Sequence, residues 1–272
     1  MLPATFTALL DMLSSRELLA ASRNVSAGEK LATFLFIVGQ AASNRHAQER
    51  FQRSGWTISK FVDVIWILGN DWKYRSFHES LNAIAAVGKE VIQLPDPSNI
   101  PPEIQNNPKM MPFFKDCIGA LDGTHIPCKP PKKDAKPYRN RKGFLSQNVL
   151  AVCSFDLRFL YVLPGWEVSA ADGSVLSDAM FDKGLIIPKG KYFLGDAGYP
   201  FKPFCLTPYR GIRYHLREWA QGNQRPQNVK ELYNLRHAKQ RNATERIFGV
   251  LKKRFPIVNV PPEYRIQTQV YS

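Results

Sequence analysis

The sequence predicts an α/β protein: an all-helical N-terminal region, a proline-dense crossing, then a domain with a mixed sheet and a long closing helix. Three observations lead there. Up to about residue 93, apolar residues recur at helical spacing. From Leu94 to Pro112 the chain reads Leu-Pro-Asp-Pro-Ser-Asn-Ile-Pro-Pro-Glu and meets a further proline at Pro108. Proline this dense continues neither a helix nor a central strand. Beyond it come short apolar runs of strand length, followed by a helical pattern from about Val229 to Arg254. The expected divisions are a helical region over 1–93, a linker over 94–112 and a sheet domain over 113–272.

Within the first region, Phe6, Leu9, Leu10 and Leu13 follow one helical face. Ser26-x-x-Glu29 has the form of a capping box opening a helix from Lys30 to Gln40. Another helix is expected from Arg45 to Gln52, then a turn at Ser54-Gly55-Trp56. Thr57 then caps a helix carrying Ile58, Phe61, Val62, Ile65, Trp66 and Leu68. Helix, glycine-containing turn, helix is a helix-turn-helix-like order, although an ordinary α-hairpin has the same spacing. In the sheet domain, Cys117–Leu121 is a strand ending at Asp122-Gly123. Val149–Phe155 and Phe159–Leu163 form a hairpin about Asp156-Leu157-Arg158, Val175–Leu185 a short helix, and Tyr192–Leu194 a strand ending near Asp196.

Composition narrows the function. A net charge of +14 and a pI near 9.7 call for a polyanionic partner, nucleic acid or an anionic membrane surface. The membrane is disfavoured, because the longest mostly apolar stretch, Leu31–Ala42, is too short to span a bilayer. No basic stretch followed by an apolar run and a cleavage site opens the chain, so no signal peptide is read. Cys117, Cys128, Cys153 and Cys205 are scattered without a Cys-x-x-Cys pair. That spacing excludes a structural zinc ribbon and suits reduced, buried thiols in an intracellular protein.

Two strands end alike, in Ala-Leu-Asp122-Gly and Leu-Gly-Asp196-Ala-Gly. Carboxylates at neighbouring strand ends make an oxygen-rich site suited to a hard cation, yet Asp and Gly are also ordinary turn formers. On the long helix, Ala243, Ile247, Val250, Leu251 and Phe255 form an apolar stripe. The opposite face carries Arg241, Asn242, Glu245, Gly249 and Lys252, so Glu245 is either functional or simply paired with Arg241 one turn earlier. Gly249 costs helix stability and suggests close approach of a backbone or substrate. If 122–126 is extended, His125 faces away from Asp122, which argues against metal ligation, and His237 lies about 80° from Glu245 around the helix.

These residues carry a resemblance. Asp122-Gly123-Thr124-His125-Ile126, Gly195-Asp196-Ala197-Gly198-Tyr199-Pro200, and Asn234-Leu235-Arg236-His237-Ala238 leading into Glu245-Arg246-Ile247-Phe248-Gly249-Val250-Leu251-Lys252 resemble the Harbinger-type (PIF/Harbinger) transposases. The likeness extends to the domesticated nuclease relatives of that DDE class. Trp166-Glu167, Leu206-Thr207-Pro208-Tyr209-Arg210 and the Phe51–Ser59 stretch match as well, so it covers nearly the whole chain. The resemblance implies an RNase H-like catalytic domain that cleaves DNA phosphodiester bonds. Two Mg²⁺ or Mn²⁺ ions would be held by Asp122, Asp196 and Glu245, with Asp122 bridging both. It also implies DNA as partner and a nuclear location; related transposases work beside a separate Myb-like DNA-binding protein, and a homo-oligomeric state stays open. The sequence departs from the pattern at Val168 and at Gly173-Ser174 after Asp172, which leaves Asp172 a supporting role at most. It also stops at Ser272, where the family continues into a further helix, so the domain is read as truncated.

Candidate DNA contacts are Arg241, Lys252 and Lys253 beside Glu245, Lys132, Lys133, Arg139, Arg141 and Lys142 in a proline-broken basic loop, and Arg53 and Lys60 in the helix-turn-helix-like stretch. The basic loop equally fits an import signal or a solvated surface. The alternative function is a catalytically inactive, transposase-derived module that binds DNA or a protein partner.

Overall fold

The computed structural model describes residues 1–54, 75–222 and 225–261. The backbone divides into two compact units, Met1–Val91 with Pro127–Ala135 and Lys252–Ser272, and Ile92–Ile126 with Lys136–Leu251. The first contains helices α1 (Pro3–Ser15), α2 (Ala27–Gln40), α3 (Asn44–Phe51) and α4 (Arg75–Val91). Leu13, Leu19, Leu31, Ala83 and Val87 form its core. Buried among them, Lys30 donates from Nζ to the Ala20 carbonyl at 2.8 Å and to Glu79 at 2.7 Å, so the charge is compensated where it is desolvated.

Ser26 caps α2 as its sequence suggests, its hydroxyl accepting from the Glu29 amide at 3.1 Å. The helix begins at Ala27 and not at Lys30, because the residues of the box themselves form its first turn. The Glu29 carboxylate is taken by Arg53, which donates from Nε and Nη2 at 2.6 and 2.7 Å. Residues 55–68, where the second helix of the helix-turn-helix-like pair and Lys60 were expected, lie outside the described residues.

In the second unit, α5 (Pro102–Gln105) leads to strands β1 (Cys117–Pro127), β2 (Ser146–Cys153) and β3 (Phe159–Glu167). Helix α6 (Asp172–Phe181), strands β4 (Tyr192–Leu194) and β5 (Cys205–Leu206), and helices α7 (Leu216–Gly222) and α8 (Val229–Arg254) follow. One five-stranded sheet has the order β3-β2-β1-β4-β5; β2 and β3 are antiparallel, while β1–β4 and β4–β5 are parallel. The proline-rich stretch expected as a linker contributes Ile104 and Met110 to the core of this unit. Apolar side chains alternating with its prolines have a core to enter, and they bury.

Each face of the sheet has its own core. On one, Cys117, Ala120, Ala151, Cys153 and Leu194 meet Ala243, Ile247 and Phe248 of α8. On the other, Ile118, Leu121, Leu150, Val152 and Phe193 meet Val175, Leu176 and Ala179 of α6. Strand alternation would place Cys117 and Ala120 on opposite faces, three residues apart. They share a face because the β1–β4 register shifts between Cys117 and Gly119. This shift puts Ala120, and the residue two further on, on the α8 side.

Gly119 sits at the shift, and a Cβ there would overlap the Cys153 carbonyl oxygen of the neighbouring strand. Gly249 is the opposite case: among the described residues a Cβ there meets nothing within 4 Å, so no close approach by them explains it. Gly119→Ala is therefore expected to cost about 1–3 kcal/mol or more, and Gly249→Ala to stabilise by about 1 kcal/mol. Chemical denaturation of the two variants checks both signs, and a neutral Gly119→Ala would remove the packing account of the bulge.

Candidate active site

Asp122 and Asp196 are brought together by strand register. Ala120 pairs with Leu194 across the parallel β1–β4 ladder, and each aspartate stands two residues beyond its member of that pair. Adjacent strands run about 4.8 Å apart, so the two aspartates lie at neighbouring interior strands, and Asp196 acts electrostatically on Asp122. Both also do local work. Asp122 Oδ1 accepts from the Gly123 amide at 2.9 Å, and Asp196 Oδ1 accepts from the Gly198 amide at 2.8 Å, closing an Asx-type turn. Asp196 is thus a turn former as well as a candidate acid, whereas Asp122 lies within β1 and not in a turn.

The third element is α8, and its decisive side chain is Arg241. Nη1 donates to Asp122 Oδ2 at 2.8 Å and Nη2 to Glu245 Oε1 at 2.8 Å. The helix pair anticipated from the i, i+4 spacing is present, but the arginine is not on a solvated face. Its side chain is 10% exposed, against 62% for Glu245. α8 is covered well beyond its apolar stripe: Asn234, His237, Arg241 and Thr244 are buried along with Ala243 and Ile247, whereas Val250 is exposed.

A hydrogen-bond chain fixes the guanidinium. His237 Nε2 lies 3.0 Å from the Leu206 carbonyl, which can only accept, so that nitrogen carries the proton. Burial holds the ring's pKa down at about 4, and a neutral ring leaves Nδ1 as an acceptor. The Tyr214 hydroxyl, 3.2 Å away, therefore donates to Nδ1 and accepts from Arg241 Nε at 2.8 Å. Asn234 holds the loop that carries Tyr214: Oδ1 accepts from the Tyr209 amide at 2.9 Å and Nδ2 donates to the Tyr209 carbonyl at 3.0 Å. Arg210 ties the same loop to the Asp196 turn through the Ala197 carbonyl, at 2.6 Å. Grooves on the two sides of Arg241 are lined by Tyr214–Glu218 with Asn242 and Glu245, and by Asp196 with the loop 208–215.

Electrostatics follow the geometry. Burial pushes the Asp122 pKa up to about 6, with Asp196 adding to the rise and Arg241 opposing it. Burial also works against the charge of Arg241, but Tyr214, Asp122 and Glu245 outweigh it and hold its pKa above the ordinary value. Asp172, at the start of α6, is raised by burial and by Asp196, with His125 and Asn148 opposing. A Cβ on Gly198 would stand 2.5 Å from Asp172 Oδ2 and 3.0 Å from Asp196 Oδ1, so the glycine lets those two carboxylates crowd its Cα. His125 is exposed and Thr124 buried, as alternation along β1 requires. The four cysteines are free and buried, and burial pushes Cys117, Cys153 and Cys205 up to about 12, so they remain thiols.

The donor set suits a divalent cation in kind: hard carboxylate oxygens on Asp122, Asp196 and Glu245, two of them repelling one another. In its present arrangement, however, Arg241 is the cation between Asp122 and Glu245. No three His, Cys, Asp or Glu side chains among the described residues converge into a metal-holding group. Among the predicted DNA contacts, Arg241 is hydrogen-bonded to two of the three candidate acids. Arg139 donates to the Gly143 carbonyl at 2.8 Å, and Arg141 and Lys142 are exposed beside it. Lys132, Lys133, Lys252 and Lys253 belong to the first unit, as does Arg53, engaged by Glu29. Sequence reasoning missed Tyr214, Asn234 and the orienting role of His237. The one signal was Asn234, His237 and Arg241 spaced 3 and 4 apart, a polar stripe at burial spacing.

The family model of the DDE superfamily endonucleases matches residues 121–270, which takes in all three acids. The chain belongs to that family. Residues 1–67 match a domain of unknown function. Among curated proteins, the chain is similar to the ALP1-like protein of Arabidopsis thaliana, 27% identical over 254 residues, 86% of this chain and 55% of that protein. It is also similar to HARBI1, whose name suggests a nuclease. The Rattus norvegicus form is 35% identical over 95 residues (34% of this chain, 27% of that protein), and the Homo sapiens form 28% over 142 residues (51% and 36%). The chain thus spans about half the length of the plant relative and less of the mammalian ones. These relatives derive from domesticated Harbinger transposases, as the motifs implied, and the mixed sheet with its helices is the α/β, RNase H-like class of DDE endonucleases. No solved structure matches.

The Asp122 environment gives a signed test. A carboxyl whose folded pKa is raised favours folding most below its unfolded value, about 3.9. It loses that contribution as pH rises through about 6. Carbon-detected NMR of the metal-free chain should show Asp122 titrating near pH 6. Asp196→Asn should lower the midpoint and Arg241→Gln should raise it. An Asp122 midpoint in the ordinary carboxylate range would remove the burial argument.

Proposed function

We propose that this DDE-superfamily chain is a divalent-metal-dependent nuclease acting on DNA, with Asp122, Asp196 and Glu245 as the metal-holding acids. The observation that carries the reading is the pairing that sets Asp122 of β1 beside Asp196, just past β4, with Arg241 joining Asp122 to Glu245 of α8. When bound, two Mg²⁺ or Mn²⁺ ions would supply an activated oxygen nucleophile and charge to stabilise the leaving oxygen of a phosphodiester. The chain's own residues do the rest. Asp122, between the other two acids, would hold the metal with them; Asp196 is held by its Asx turn, and Glu245 stands on the exposed side of α8. Arg241, and Arg210 beside the Asp196 turn, offer planar donors matched to phosphate oxygens.

The net charge of +14 supports a nucleic-acid partner and, with it, a nuclear location. A Myb-like DNA-binding protein acting in trans, and self-association, belong to the same proposal and rest on the family resemblance. One observation favours a second reading, a module that binds DNA without cleaving it: Arg241 already neutralises two of the three acids.

Cleavage of plasmid DNA decides between them. The full chain should nick or linearise it with Mn²⁺ or Mg²⁺ and not with chelator. Asp196→Asn and Glu245→Gln should each lower the rate by more than about 100-fold, beyond the 10–100-fold typical of a merely supporting residue. DNA binding without metal-dependent cleavage would establish the second reading.

A further inference from the structure

We infer that Arg241 is a built-in competitor of the divalent cation, and that a DNA phosphate drawing its guanidinium away is what opens the acids to metal. The inference rests on the nuclease reading above and adds an order of events to it. The guanidinium holds one oxygen of Asp122 and one of Glu245, each at 2.8 Å. A cation coordinated by those same oxygens would stand within a few ångströms of a fixed positive charge that cannot be discharged. Arginine in this position and metal at these oxygens are alternatives.

The competitor is held deliberately in place. Leu206, His237 and Tyr214 form a chain in which each donor has one acceptor, ending at Arg241 Nε. Every link uses a group whose direction is fixed by the one before it. The consequence of that chain is the aim of the guanidinium, and Tyr214, its last link, also lines both grooves beside the acids. An ordinary structural ion pair on a helix surface would not be braced by a buried histidine.

There is also somewhere for the guanidinium to go. Arg241 lines both grooves that flank the acids, the one beside Glu218, Asn242 and Glu245 and the one beside Asp196 and Arg210. Its Nη1 and Nη2 each keep one proton not used by the carboxylates. A phosphate entering either groove meets a planar fork suited to two-pronged binding. By linkage, whatever DNA binding does to metal affinity, metal does equally to DNA affinity. Metal-free chain therefore keeps its acids quiet, and the site is completed only where substrate lies.

Calorimetric Mn²⁺ titration of the full chain, with and without a short non-cleavable duplex, tests this independently of turnover. The wild type should bind Mn²⁺ weakly alone and about tenfold more tightly with DNA, inside the 5–150-fold range usual for coupled sites. Arg241→Gln should bind Mn²⁺ about tenfold more tightly without DNA and lose most of the DNA dependence. Tyr214→Phe, which removes one oxygen and keeps the arginine, should fall between them and covers the case in which Arg241→Gln does not fold. Asp122→Asn should abolish binding in every arm. Mn²⁺ affinity that is the same in wild type, Arg241→Gln and Tyr214→Phe overturns the inference, even if plasmid cleavage upholds the nuclease. Absence of Mn²⁺ binding from every protein, with or without DNA, overturns both.

Discussion

Burying one carboxylate beside another at the end of a sheet creates a charge problem, and much of the second unit is arranged around its solution. Asp122 is desolvated and faces Asp196 on the adjacent strand. At about 4 Å, a unit charge pair in an environment of effective dielectric near 20 is worth about 4 kcal/mol, and desolvation costs of several kcal/mol act against it. A buried ion pair of that kind contributes little net stability. Its effect is specificity: removing one partner leaves the other uncompensated, typically at about 3–5 kcal/mol. Arg241 therefore fixes which face of α8 meets the strand ends more than it stabilises the fold.

α8 reads the strand-end loops one turn at a time. Asn234 clamps the loop at Tyr209, His237 holds the end of β5 through the Leu206 carbonyl, and Arg241 takes Asp122 at the end of the buried part of β1. Tyr233 adds its hydroxyl to the Thr207 carbonyl at 3.2 Å. These are contacts to backbone or to fixed acids, so the helix acts as a ruler that sets Arg241 against Asp122, with Glu245 one turn beyond it. The phase of the ruler depends in turn on the bulge at Gly119, without which Asp122 would face the α6 side. A backbone oxygen lying where a Cβ would go is thus tied, through strand phase, to the polarity of the site.

The elements of the second unit were legible where their periodicity was strong. The runs expected as strands at 117–121, 149–155, 159–163 and 192–194 lie in Cys117–Pro127, Ser146–Cys153, Phe159–Glu167 and Tyr192–Leu194, so β1 continues past Asp122, and 229–254 is one helix with the predicted ends. The candidate acids stood out as aspartates after apolar runs and a helix glutamate, and the family motifs raised them above turn formers, although Asp122 proves to lie within β1. What could not be read was the environment of Arg241. Polar residues at 234, 237 and 241 look like a solvated face until a loop far along the chain, 206–215, covers them. Periodicity measures hydrophobicity, and these positions are buried through hydrogen bonds instead. Val250 fails in the converse direction: it lies on the apolar stripe but beyond the part of α8 that the sheet covers. Leu157, in the expected hairpin turn, adopts a φ of 66°, a left-handed turn its residue type does not announce.

A strongly basic chain with an acidic candidate site would meet DNA, its proposed partner, in two electrostatic regimes. At long range, an excess of Lys and Arg attracts a polyanion, but salt screens that attraction beyond about 8–10 Å. Over the last few ångströms a phosphate meets what is local, and here that is Asp122, Asp196, Asp172 and Glu245. Unopposed, those acids would repel the backbone the rest of the chain attracts. A divalent ion resolves the conflict for a loaded site, and a loaded site without substrate would expose a reactive centre to any passing phosphodiester. An arginine held among the acids resolves it differently. It lowers local repulsion in the metal-free chain, is itself the best phosphate donor present, and cannot serve both acids and phosphate at full strength. The two regimes are joined through one side chain, Arg241, whose aim is set by Tyr214 and His237 and whose partners are the acids themselves.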